Sequence, residues 1–70
     1  MGSQDSHAGS AMQRARIAAG YTDTEAAALI TRDVQSIRRY ESGQCLAPQA
    51  VQIKLARAYG VSVADLQDLR

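Results

Sequence analysis

Seventy residues with eight Lys plus Arg, seven Asp plus Glu and a formal net charge of +1 allow one small domain and no polybasic tail, so any anion binding has to be local. One cysteine, Cys45, excludes an internal disulfide, and without a second Cys or a nearby His it has no partners for a metal site. No apolar run nears the roughly 18 residues of a membrane span and no signal-peptide core is visible, so a soluble cytoplasmic protein with no membrane partner is expected.

In chain order, residues 1–9, MGSQDSHAG, are small and polar with no apolar periodicity. They read as a flexible N-terminal arm or an expression remnant, with the only histidine, His7, a bystander. Residues 10–70 make up the domain. Three helix starts carry a hydroxyl residue followed three positions later by a side chain able to reach back: Ser10 with Gln13, Thr22 with Glu25, and Ser62 with Asp65. Asp33 is a fourth N-cap candidate. Gly20, Gly43 and Gly60 each follow a helical run, as left-handed C-terminal caps do, and Pro48 suits the first turn of another helix.

These signals predict five short helices, at about 11–19, 23–30, 34–42, 49–59 and 63–69, and an all-α class, because no segment alternates apolar and polar residues. Only Thr31 to Asp33 separate the second helix from the third, which requires a helix-turn-helix connection. Ala27 in the second helix leaves room for close approach. On the third helix Ile37, Tyr40 and Glu41 share one face. At 100° per residue the opposite face carries Gln35, Arg39 and Ser42, with Arg38 on its flank and Val34 at the exposed N-terminal end. Leu55, Ala56 and Tyr59 form a stripe on the fourth helix with Val51 at its edge; Lys54 and Arg57 face away, and Ile53 falls outside it. Val63, Leu66 and Leu69 recur every three residues, an edge laid on the core. Cys45 has no activating neighbour.

The stretch AMQRARIAAGYTDTEAAALITRDVQSIRRYESGQCLAPQAVQIKLARAYGVSVADLQ resembles the Cro and phage-repressor helix-turn-helix family, the XRE family, over residues 11–69. The resemblance rests on Arg16, on Thr22, Glu25 and Ala27, on SIRRYESG and on LARAYGVSVADL in that order. It implies a compact five-helix domain of the lambda-repressor-like type. The function implied is that of a bacterial or phage transcriptional regulator, a repressor in the simplest case, that binds operator DNA as a homodimer without a cofactor.

Carried over by position, Arg16 and Glu41 resemble a structural salt bridge. Val34, Gln35 and Arg39 resemble base-reading residues, for which thymine methyl, adenine and guanine are the matching partners. Thr22, Thr24, Arg32, Ser36, Arg38, Ser42 and Gln44 are phosphate or flanking candidates, with backbone N–H groups of the loop after the third helix beside them. Ile53, Leu66 and Leu69 are dimer-contact candidates, with core packing the alternative. The sequence also departs from the family pattern. Asp23 stands where a phosphate-bonding Gln is usual, Thr31 replaces a glycine and Arg32 an apolar residue in the turn, and the loop after the third helix lacks cations. A carboxylate repels phosphate, so binding is expected to be weak with a shallow salt dependence. A left-handed Thr is strained, so a rebuilt turn is expected. These departures keep open an alternative, a protein-interaction module of the same fold with a protein partner. No Cys and His pair, Gly-rich phosphate loop or shared carboxylate site points to an enzyme.

Overall fold

Local hydrogen bonding sets where each element begins. The computed structural model describes residues 10–67, and the expectations placed on residues 1–9, His7 and Leu69 lie outside them. Within the described residues the elements are α1 (Ala11–Ala19), α2 (Asp23–Leu29), α3 (Val34–Ser42), α4 (Gln49–Tyr59) and a closing 3₁₀ turn, Val63–Leu66, with no strand. At the head of α1 the Gln13 N–H donates to Ser10 Oγ at 3.1 Å. At α2 the Glu25 N–H donates to Thr22 Oγ1 (3.0 Å) while the Thr22 N–H donates to Glu25 Oε1 (2.9 Å), a complete capping box. Ser62 and Asp65 form a second box at the closing turn.

Two starts differ from expectation. Asp33 holds the N-cap position of α3, but its carboxylate makes no cap hydrogen bond; the Ser36 N–H that it would accept donates instead to the Asp33 carbonyl at 3.0 Å. Pro48 is the N-cap of α4 rather than part of its first turn, and its carbonyl accepts the Val51 and Gln52 N–H groups at 2.9 and 3.0 Å.

The four α-helices end alike. The N–H groups of Gly20 and Tyr21, Gly43 and Gln44, and Gly60 and Val61 turn back onto carbonyls of the last helical turn, each glycine sitting at φ between 73° and 85°. In α2 the same two bonds are made by Thr31 to Ala28 (3.2 Å) and Arg32 to Ala27 (3.0 Å), and Thr31 takes φ 57°. The turn is therefore not rebuilt: a β-branched residue occupies the left-handed cap that glycine favours. Fully buried Ile37 and Ile30, 5% exposed, on either side of the turn hold it against that strain.

The closing element also differs from the expected helix. It is a 3₁₀ helix of four residues, ended by extended Gln67 (φ −109°, ψ 140°). A three-residue recurrence of Val63 and Leu66 is the period of a 3₁₀ helix as much as an edge of an α-helix.

The core is centred on Ile37 and Leu55, with Met12, Ile30, Val51, Ala56, Tyr59 and Leu66 around them. Ala26 and Ala27 are buried, and these small side chains let α2 lie close against α3. Leu66 is only 4% exposed and belongs to this core, which removes it from the surface available to a second copy. Ile53 is 40% exposed. The Tyr59 ring packs 5.7 Å from that of Tyr21, while the buried Tyr59 hydroxyl has no hydrogen-bond partner among the described residues, and burial pushes its pKa up to about 12.

Candidate nucleic-acid interface

Residues 30–33 reverse the chain between α2 and α3, and the packing of these two helices decides which side chains of α3 face outward. Ile37 is fully buried, and Tyr40 packs against the core from a half-buried position. Glu41, on the same side, is fixed by Arg16. Arg16 Nε donates to Glu41 Oε2 at 2.8 Å, Nη2 donates to Oε1 at 3.3 Å, and Nη1 donates to the Tyr21 carbonyl at 3.0 Å. The two side chains are 11% and 9% exposed. This side-on pair ties the end of α1 and the chain entering α2 to the last turn of α3. The hydrogen bond that Arg16 donates to Glu41 raises the Arg16 pKa above its ordinary value against the opposing effect of burial, so the guanidinium keeps its charge.

With that side anchored, Gln35, Arg38, Arg39 and Ser42 are exposed on the remainder of α3. Arg39 makes no ion pair with the described residues, and its carbonyl accepts the Ser42 hydroxyl at 3.2 Å and the Gln44 N–H at 3.0 Å. Val34 departs from expectation: it is half-buried and packs against the core. It sits at the first position of α3, where the helix leans onto α2, so only part of its side chain reaches solvent. Ser36 is half-buried, and Arg32 and Gln44 are exposed.

Arg38 is not free. Its Nη2 lies 3.1 Å and its Nε 3.2 Å from Asp23 Oδ2, joining the first residue of α2 to the middle of α3. The Arg38 side chain is 63% exposed and that of Asp23 32%. The Arg38 hydrogen bond is the main cause that holds the Asp23 carboxyl below its ordinary range, assisted by the Thr24 backbone N–H. In the sequence Asp23 stands as a group that repels phosphate and Arg38 as a separate donor. The signal was an acid and a base fifteen residues apart, and only the packing of α2 on α3 makes them neighbours.

Other expected donors are spent internally. The Thr22 backbone N–H goes to Glu25. In the loop after α3 the Gly43, Gln44 and Cys45 N–H groups close the end of α3 on the carbonyls of Tyr40 and Arg39. The backbone N–H groups expected to face phosphate there are thus helix caps. The loop instead presents Leu46, 88% exposed, at a cleft of about 210 Å³ whose lining includes Met12, Tyr40, Leu46, Leu66, Gln52 and Gln67. No cluster of His, Cys, Asp or Glu suited to a metal, and no helix long and apolar enough to cross a membrane, occurs among the described residues.

Compared with known proteins, residues 7–69 match a family model described as a helix-turn-helix domain. No curated protein and no solved structure matches the chain.

Proposed function

The chain belongs to the helix-turn-helix domain family, and from that premise we propose a sequence-specific DNA-binding transcriptional regulator of the Cro and XRE type, most simply a repressor. It binds operator DNA as a homodimer through α3. The observation that carries this reading is the division of α3 into two sides. Ile37, Tyr40 and the Arg16–Glu41 pair fix one side to the domain, and the other offers exposed Gln35 and Arg39, with no ion pair to Arg39 among the described residues.

A helix of this width fits the major groove, where Gln makes two hydrogen bonds to adenine and Arg two to guanine. Val34 supplies at most a partial apolar contact to a thymine methyl from its half-buried position. Arg32, Arg38, Thr22, Thr24, Ser36, Ser42 and Gln44 are side chains close to the backbone of a duplex docked in this way. Two copies related by a twofold axis would place their α3 helices in successive major grooves about one helical turn apart, with Ile53 and Leu69 candidates for the contact between them.

Selection from a randomised duplex library at low salt tests the reading. Enrichment of an inverted repeat is expected, and Arg39→Ala or Gln35→Ala should relax preference at one base position by about 1–3 kcal/mol with the fold intact. A folded sample that enriches no sequence overturns it. The second reading, a protein-interaction module, is favoured by Leu46 standing 88% exposed at a cleft of mixed apolar and polar lining on a loop without cations; it predicts that Arg39→Ala leaves DNA behaviour unchanged.

A further inference from the structure

The face that would meet the DNA backbone carries an ion pair of its own. Two nitrogens of the Arg38 guanidinium converge on a single oxygen of Asp23, at 3.1 and 3.2 Å. Asp23 is the first residue of α2, and the pair carries its carboxylate across to the middle of α3. This arrangement imitates an anionic oxygen held by an arginine, a grouping by which proteins grip phosphate. The pair is open to solvent, with 63% of the Arg38 side chain accessible, so an external anion can reach the same guanidinium.

We infer that Asp23 is a built-in competitor of the DNA backbone for Arg38: the carboxylate holds the guanidinium in the free protein, and a phosphate of the docked duplex has to displace it. The inference rests on the DNA-binding reading above and specifies how the affinity of that interface is set. An arginine that meets phosphate with its charge uncompensated releases a counterion from the duplex, and this gives non-specific affinity its salt dependence. An arginine that first surrenders a carboxylate gains only the difference between two ion pairs and leaves an uncovered negative charge facing the backbone. Asp23 therefore lowers affinity for every sequence alike. Base reading by Gln35 and Arg39, which have no such partner among the described residues, then makes up a larger share of the total binding energy.

The test uses the whole chain and a duplex of random sequence, titrated by fluorescence anisotropy across a salt series, with wild type, Asp23→Asn, Arg38→Ala and the double variant. Asp23→Asn is expected to bind about tenfold tighter near physiological salt and to steepen the slope of log affinity against log salt by about 0.9. Both gains should vanish in the Arg38→Ala background. An unchanged Asp23→Asn affinity overturns the inference while leaving the DNA-binding reading standing. So does a gain that persists without Arg38, because it would report bulk charge only. Absence of binding by all four proteins at low salt removes the DNA-binding reading and the inference together. A readout independent of DNA accompanies these: in the free wild-type protein the Asp23 carboxyl should titrate below its value in Arg38→Ala, and equal titration of the two proteins also overturns the inference.

Discussion

Two Arg–carboxylate pairs reach α3 from the elements before it, and their surroundings differ. Arg16–Glu41 lies at the inner edge of α3 with side chains 11% and 9% exposed, and the guanidinium also holds the Tyr21 carbonyl. Arg38–Asp23 lies on the outer side with side chains 63% and 32% exposed. Their chemistry is the same, but water around the outer pair screens it and offers each partner a substitute. Around the inner pair there is little substitute, and removal of one partner strands the other. Burial thus makes one pair part of the scaffold and leaves the other available for exchange with an external anion.

The comparison breaks first at Glu41. Glu41→Ala should destabilise the domain by about 3 kcal/mol, measured by urea unfolding, because it leaves the Arg16 guanidinium charged and nearly buried. In a domain of this size that is a large part of the whole stability. A loss below 1 kcal/mol would place Arg16–Glu41 in the same class as the outer pair.

The inner region has a second titratable group in Tyr59. Its hydroxyl is neutral in the folded state up to about pH 12, whereas an unfolded tyrosine ionises near pH 10. The folded pKa is the higher one, so this contribution to stability is fully present below pH 10 and is lost as the pH rises through 12, by about 2–3 kcal/mol. Tyr59→Phe should remove that alkaline loss. At neutral pH the variant should also gain about 1 kcal/mol, because the hydroxyl it deletes is buried without a partner. Unfolding curves of the two proteins at neutral and alkaline pH check both statements.

At the turn between the two sides, Thr31→Gly should stabilise by about 1 kcal/mol. It relieves a left-handed β-branched residue (φ 57°) at some cost in unfolded-state entropy. A Tm that falls would show that the Thr31 side chain contributes to the turn. The smallest effect belongs to the outer pair: Asp23→Asn should leave the urea unfolding midpoint almost unchanged, because water screens the pair. A larger loss would show that the pair is structural and would sharpen the contrast with Glu41 into a difference of degree only.

Much of the fold was legible because its signals are local. Ser10, Thr22, Ser62 and the three cap glycines act on backbone groups only a few residues away, so their spacing states where helices begin and end. The inward side of α3 was legible for a similar reason, since 100° per residue places Ile37, Tyr40 and Glu41 together whatever they touch. Reading failed where two local signals compete. Asp33 has the chemistry of a side-chain cap, yet its own carbonyl takes the donor; the backbone N–H groups after α3 have the chemistry of an anion site, yet they close the helix. Thr31 failed in the opposite sense, because the strain that argued for a rebuilt turn is outweighed by apolar packing on both sides.

The sequence by itself determined the all-α class, the elements α1 to α4 to within a residue or two, the reversal between α2 and α3, and the amphipathic division of α3, since each depends on contacts within about a turn of helix. The pairing of Arg16 with Glu41 entered only through resemblance to a family, and that of Arg38 with Asp23 was visible in neither. Tertiary structure decided those partners, the half-burial of Val34 and the place of Leu66 in the core. Residues fifteen or twenty-five positions apart become neighbours through the angle at which helices pack. That angle is set by side chains such as Ala26, Ala27, Ile37 and Leu55 acting together, and no short spacing in the chain records it.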